Sequence, residues 1–224
     1  MTGETAEYNP LDYDNLTRNC VEELMCRGPF QLPLASEFDG AGVYALFYSG
    51  KEPVYEAVRT EVADLPIYVG KAVPPGSRKG SGGKGGRRSL HDRVTQHTKS
   101  IQAASNLQIE DFVCRYLVVT PLWITMAERF LIEHYQPVWN VCIEGFGNHD
   151  PGKGRHEGEI TWWDTLHPGR PWASRLKQTK TPEKAKQRLA TFLKSYSRPS
   201  WQVVREHRVV YRQENVKEFP DHDD

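Results

Sequence analysis

No stretch of this 224-residue sequence stays apolar for the length of a membrane span, which excludes a helical membrane protein. The first residues, MTGETAEYNP, lack a basic start followed by an apolar run, so no secretory leader is expected and a cytoplasmic location is. Cysteine is scarce. Cys20, Cys26, Cys114 and Cys142 show no C-x-x-C spacing, which argues against a structural zinc site and a disulfide framework and for reduced thiols. Internal repeats are absent as well, and so is net charge, with 29 Lys and Arg against 29 Asp and Glu.

That neutrality conceals a segregation. Residues 1–40 carry a local charge of −6, residues 71–100 carry +7, residues 151–212 carry +9, and residues 213–224 return to −4. Positive blocks inside a neutral chain, with glycines and aromatics interleaved, suggest a polyanion met on one face, and nucleic acid suits that pattern better than a merely solvated surface. With 38% hydrophobic and 26% charged residues the composition is that of a soluble globular protein, long enough to bury one sizeable core.

The middle of the chain alternates strand and helix signals. GVYALFY (42–48) and LPIYVG (65–70) read as strands joined by a long connection, and EPVYEAV (52–58) as a further extended piece. PPGSRKGSGGKGGRR (74–88) has too many glycines for regular structure and reads as a mobile basic loop. A helix then begins on an S-x-x-D signal, Ser89 and Asp92, with Leu90, Val94 and Ile101 on its apolar side. EDFVCRYLVVT (110–120) is a third strand. In the next helix Thr125 and Glu128 have capping-box spacing, Ala127, Leu131 and Tyr135 form the buried stripe, and Pro137 is the stop. The order β-β-α-β-α implies an α+β unit with a small antiparallel or mixed three-stranded sheet. Before it, NCVEELMCR (19–27) suggests a short helix. After it, Thr181 and Pro182 open a helix with Leu189, Phe192, Leu193 and Tyr196 on one face, and WQVVREHRVVYR (201–212) suggests a closing strand.

PIYVGKA (66–72) is unusual in setting a tyrosine, a glycine and a lysine together where the apolar run of a strand breaks. Gly70 is expected to turn the backbone there and to allow close approach of a substrate. Two strands and two helices then bring forward an ordered set of chemistry-bearing residues: Tyr44 in GVY, Tyr68 in YVG, Arg93 and His97 at i and i+4 on one helix face, Glu128, and Asn140.

This set resembles the GIY-YIG nuclease family. GVY stands for its first motif, YVG for its second, SLHDRVTQH for its strand-to-helix passage and AERFLIEHYQPVWN for its glutamate helix and closing asparagine. The resemblance spans residues 42–140 as a catalytic core, with 1–41 and 141–224 wrapped around it for DNA binding and dimerisation in a single domain, 1–224. Valine replaces isoleucine in both motifs, and the 74–88 loop is an insertion.

The resemblance implies Tyr44, Tyr68, Arg93, His97, Glu128 and Asn140 as catalytic residues and Glu128 as the ligand of Mg²⁺. Glu128 has a plainer alternative as the third residue of a capping box, although a carboxylate beside an apolar stripe needs a pair or a cation. A single carboxylate with water and phosphate oxygens is a usual way to hold Mg²⁺. Tyr44 as base would need cations to stabilise a phenolate, Arg93 and Lys71 being available, whereas His97 titrates near working pH. Both stay candidates. Arg93 suits the charge on the scissile phosphate, and Asn140 the geometry of the site.

The short, interwoven extensions resemble the family's type II restriction endonucleases, in which one compact chain reads and cuts. GFGNHDPGKGR (145–155) resembles members that recognise a GC-rich palindrome such as CCGCGG. One site per chain and two strands to cut imply a homodimer on double-stranded DNA. Lys71, Arg78, Lys79, Lys84, Arg87, Arg88, Arg170 and Arg175 are the candidate DNA contacts. The alternatives are a repair or mobile-element GIY-YIG endonuclease, or a DNA-binding module with an inactive nuclease site.

Overall fold

GVYALFY and PIYVGKA are rich in β-branched and aromatic residues, and each forms one seven-residue strand, β2 (Gly42–Tyr48) and β3 (Pro66–Ala72). They pair antiparallel, and β2 pairs antiparallel with β4 (Phe112–Val118) on its other side. The computed structural model describes residues 9–74, 87–150 and 158–199. Among them the sheet has four strands rather than three, in the order β1-β4-β2-β3, because β1 (Phe30–Gln31) pairs antiparallel with β4. Pro29 and Pro33 flank β1, and a proline has no N–H for the ladder, so the strand stays too short to announce itself in the sequence.

Every residue of β2 is buried, which requires helices on both sheet faces. Side chains alternate along a strand, and the contacts of β2 and β3 sort the helices accordingly. Tyr44 and Gly70, directly opposite each other, face α2 (Ser89–Ala103), while Lys71 faces α3 (Ile124–Tyr135). Helix α1 (Tyr13–Met25) packs against α3 and buries Val21, Leu24 and Met25, so it is longer than the predicted 19–27 segment and begins earlier. From the sheet, the fully buried Arg115 of β4 donates to the carbonyls of Met25 at 2.9 Å and Arg27 at 2.8 Å, and to that of Ala63 at 3.1 Å.

Several local expectations are corrected. Residues Pro53–Val58 form a 3-10 turn instead of an extended piece; Pro53 starts it, and the buried Tyr55 and Val58 share one side at i, i+3. Ser89 does not cap α2: Arg88 holds that position without a side-chain bond, and the carbonyl of Gly40 accepts from Leu90 N–H at 3.0 Å. Thr125 lies inside α3, whose cap position is Trp123, so no capping box forms with Glu128. The stop is as expected, with Gln136 left-handed at φ 44° just before Pro137. Short α4 (Val138–Val141) follows directly, and then α5 (Trp162–Leu166) and α6 (Pro182–Ser195), the last capped by Thr181 as its sequence indicates. The suggested strand 201–212 lies outside the described residues, as do Arg78, Lys79 and Lys84. No helix among the described residues is long and apolar enough to cross a membrane.

Where the 3-10 turn meets α4 and α5 the core holds a polar network. Trp139 Nε1 donates to the Tyr55 hydroxyl at 2.9 Å, and that hydroxyl lies 2.5 Å from His167 Nε2. His167 Nδ1 is 2.9 Å from Asn106 Oδ1, an oxygen that can only accept, because the Asn106 amide nitrogen donates to the carbonyl of Leu166. Nδ1 therefore carries the proton, and Nε2 accepts from Tyr55. Burial holds His167 down to about 3 from an ordinary 6.5. Between those values the unfolded chain binds a proton that the native state refuses, so stability present above pH 6.5 is lost as the pH falls toward 3. Urea titrations should show the unfolding free energy dropping by several kcal/mol across that window, at about 1.4 kcal/mol per pKa difference of one. His97 is depressed in the same direction and contributes too. His167→Gln should flatten part of the slope; an unchanged slope would place the proton uptake elsewhere.

Candidate active site

The site forms where β2 and β3 run beneath α2. Tyr44 and Gly70 are register partners, and a Cβ on Gly70 would overlap the Tyr44 hydroxyl and ring. Gly70 therefore makes room for Tyr44. It is not the expected turn, since β3 continues through Lys71 and Ala72. The Tyr44 hydroxyl lies 2.5 Å from Nε2 of His97, which is 2% exposed. Tyr68, two residues from Gly70 and so on the same face, sets its ring 6.2 Å from that of Tyr44 and 5.2 Å from that of His97.

Burial dominates the electrostatics here. It pushes the Tyr44 phenol well above its ordinary value, Tyr68 adds to the shift, and Arg93 offsets only part of it. Tyr68 is also raised by burial, against Arg93. Burial holds His97 well below its ordinary value, reinforced by Arg93, His149 and Arg170. Tyr44 and His97 are thus both neutral at neutral pH, joined by one hydrogen bond. Stabilisation of a standing Tyr44 phenolate by Arg93 and Lys71, considered from the sequence, does not occur: burial outweighs Arg93, and Lys71 points to the other sheet face.

On that other face Lys71 Nζ meets Glu128 Oε2 at 2.6 Å, both groups being partly exposed. Glu128 nevertheless lies close enough to influence Tyr68, since β3 is the edge strand and the two faces meet there. Asn140, within the short helix α4, holds the outer backbone of β3 between Tyr68 and Gly70. Its Oδ1 accepts from Val69 N–H at 2.8 Å and its Nδ2 donates to the Val69 carbonyl at 2.8 Å. All six motif residues are thereby gathered around one strand edge.

The basic residues distribute differently. Arg87 and Arg88, exposed at the start of α2, pair with Asp39 and Glu37. Arg175 is exposed in the turn Ala173–Arg175. Arg170 corrects the prediction of a DNA contact: it is 4% exposed and its donors are committed. Nε and Nη2 bind the two oxygens of Asp164 at 2.6 and 2.7 Å, while Nη1 and Nη2 donate to the carbonyls of Phe146, Asn148 and Gly145. The guanidinium also lies 4.6 Å from the ring of Trp163 and 4.5 Å from that of Trp172.

The loop held by Arg170 lies in the 145–155 stretch already singled out for its resemblance, but its place beside His97 and Arg93 was not foreseen from the sequence. Phe146 stacks on His97 with centroids 4.4 Å apart, the carbonyl of Gly147 accepts from Arg93 Nη2 at 2.8 Å, and His149 contacts Arg93 Nη1. One readable signal pointed there: Thr161 and Asp164 have capping-box spacing, and Thr161 Oγ1 does accept from Asp164 N–H. That box fixes the acid that holds Arg170.

A metal ligand set of three or more His, Cys, Asp or Glu side chains is absent among the described residues. The carboxylate at this edge is that of Glu128, with one oxygen on Lys71. That suits a hard cation completed by water and phosphate oxygens and does not suit zinc.

No curated protein matches the chain. A family model described as the Eco29kI GIY-YIG domain does match, over residues 36–193. The match covers well over half of the sequence and runs past Asn140 through α5 into α6, so the Arg170-held loop falls within it. A GIY-YIG domain is that of an endonuclease with DNA as substrate. The chain belongs to the GIY-YIG nuclease family, with the Eco29kI domain as its matching type.

Proposed function

We propose that the protein is a type II restriction endonuclease that hydrolyses both strands of a short palindromic, GC-rich DNA site, CCGCGG being the first to test, as a Mg²⁺-dependent homodimer. The observation that carries this reading is the Eco29kI match extending over the added α5–α6 region as well as the catalytic core. Strand cleavage follows from the neutral Tyr44–His97 pair. With His97 Nε2 as acceptor, the Tyr44 hydroxyl hands its proton to His97 as its oxygen takes one from the attacking water. The water oxygen bonds to phosphorus as one P–O ester bond breaks. The leaving oxygen departs with the bonding pair and takes a proton from solvent, while His97 gives up its own to solvent. This reconciles the two candidate bases, since Tyr44 contacts the water and His97 stores the proton.

Arg93, beside both tyrosines, meets the charge building on the phosphate, and Tyr68 orients phosphate or water from the next strand. Glu128 would hold Mg²⁺, which when bound supplies positive charge to the phosphate and the leaving oxygen. Lys71, ion-paired with one Glu128 oxygen, holds that carboxylate at the strand edge. The basic loop residues Arg78, Lys79 and Lys84, with Arg87, Arg88 and Arg175, are the proposed phosphate contacts.

Incubation with plasmid and Mg²⁺ tests the reading directly. Discrete fragments support restriction, nicks or a smear indicate the repair-type alternative, and no cleavage leaves only a binding module. Glu128→Gln should abolish cleavage while DNA affinity and fold persist; near-normal cutting by that variant would remove Glu128 from the metal.

Single-turnover rates separate the tyrosines. Tyr68→Phe should slow cleavage on the order of a hundredfold, the usual cost of one transition-state hydrogen bond, and Tyr44→Phe more. Both should still shift DNA in a gel, and Tyr68→Phe cutting at the normal rate would make Tyr68 a packing residue.

A further inference from the structure

Arg93 has more partners than a surface arginine on a helix needs. Its Nη1 donates to Gln96 Oε1 at 3.2 Å and also contacts the ring nitrogens of His149, and its Nη2 donates to the Gly147 carbonyl at 2.8 Å. Arg93 also stands close enough to Tyr44 and Tyr68 to lower the pKa of both phenols against the effect of burial. An arginine side chain otherwise samples many rotamers, and holding one of them in advance is what a site needs before charge develops. We propose that His149 is a positioning residue of the active site: it holds the outer edge of Arg93 so that the inner edge faces the scissile phosphate.

The loop carrying His149 is built for this. Gly147 comes so close to the site that a Cβ there would lie 2.7 Å from the Tyr68 hydroxyl and 3.6 Å from Arg93, so only glycine lets its carbonyl reach the guanidinium. Phe146 covers His97 on the inner side, at a ring tilt of 22°. Arg170, fixed by Asp164, binds the carbonyls of Gly145, Phe146 and Asn148 and so sets the backbone from which His149 projects. To accept from Arg93, His149 must be neutral, and burial together with Arg93 lowers its pKa in that sense. His149 itself is exposed, so replacing it leaves the core intact.

The inference rests on the nuclease reading for its catalytic consequence, and two measurements keep them apart. In single-turnover cleavage of plasmid with Mg²⁺, His149→Ala should cut roughly tenfold more slowly at saturating protein, a loss typical of a misplaced catalytic group, with DNA affinity little changed. His149→Gln, which retains an acceptor, should recover most of the rate. In an Arg93→Lys background the further change to His149→Ala should cost almost nothing, because the partner it positions has gone. Equal losses in both backgrounds, or a wild-type rate for His149→Ala, would overturn the proposal. Independently of cleavage, an NMR titration should show the His149 pKa rising toward its ordinary value in Arg93→Gln. If the wild type cuts no DNA, the nuclease reading fails, and the His149–Arg93 pairing is decided by that titration alone: an unmoved pKa refutes it.

Discussion

A guanidinium taken out of water has to find an acceptor for each of its five N–H groups, or its burial costs several kcal/mol. Arg170 meets that demand with Asp164 and with the loop carbonyls of Gly145, Phe146 and Asn148, beside the rings of Trp163 and Trp172. Asp164 is in turn held by Thr161 at the start of α5. Since the acceptors are backbone groups, the charge dictates the path of the chain from Gly145 to Asn148. Phe146 is thereby seated on His97 and Gly147 on Arg93, which places the chemistry of α2 under the control of a residue far along the sequence.

The same pairing of tyrosine and histidine occurs twice in this molecule, with different outcomes. Tyr55 and His167 lie 2.5 Å apart, and Trp139 and Asn106 complete their hydrogen bonds. Burial alone lowers His167. Tyr44 and His97 are equally close, but Arg93 and Tyr68 stand beside them and Glu128 lies near Tyr68. A proton shared in the first pair has nowhere to go. In the second it sits next to a cation and to the strand edge where a phosphate can enter.

The strands β2, β3 and β4 and the helices α2, α3 and α6 were legible because each has a clear period and a recognisable stop, such as Pro137 or the Thr181–Pro182 start. The six motif residues stand out in the sequence by their order, and the fold brings them to one strand edge. The rest failed for physical reasons. A two-residue strand closed in by Pro29 and Pro33 carries no period, so Phe30–Gln31 stayed hidden. EPVYEAV alternates like a strand, yet its proline and its i, i+3 burial suit a 3-10 turn. A sequence shows that Arg170 is charged but not that it is buried, and His149 lies in a glycine-rich run where no period points it at Arg93.

Asn140 has an effect beyond the site. Its amide takes both the N–H and the carbonyl of Val69, which is what the backbone of a neighbouring strand would do. β3 is an edge strand, and edge strands are where sheets of separate molecules merge. A side chain that imitates one peptide unit closes that edge at its middle. A second chain therefore cannot extend this sheet across Val69 from the β3 side.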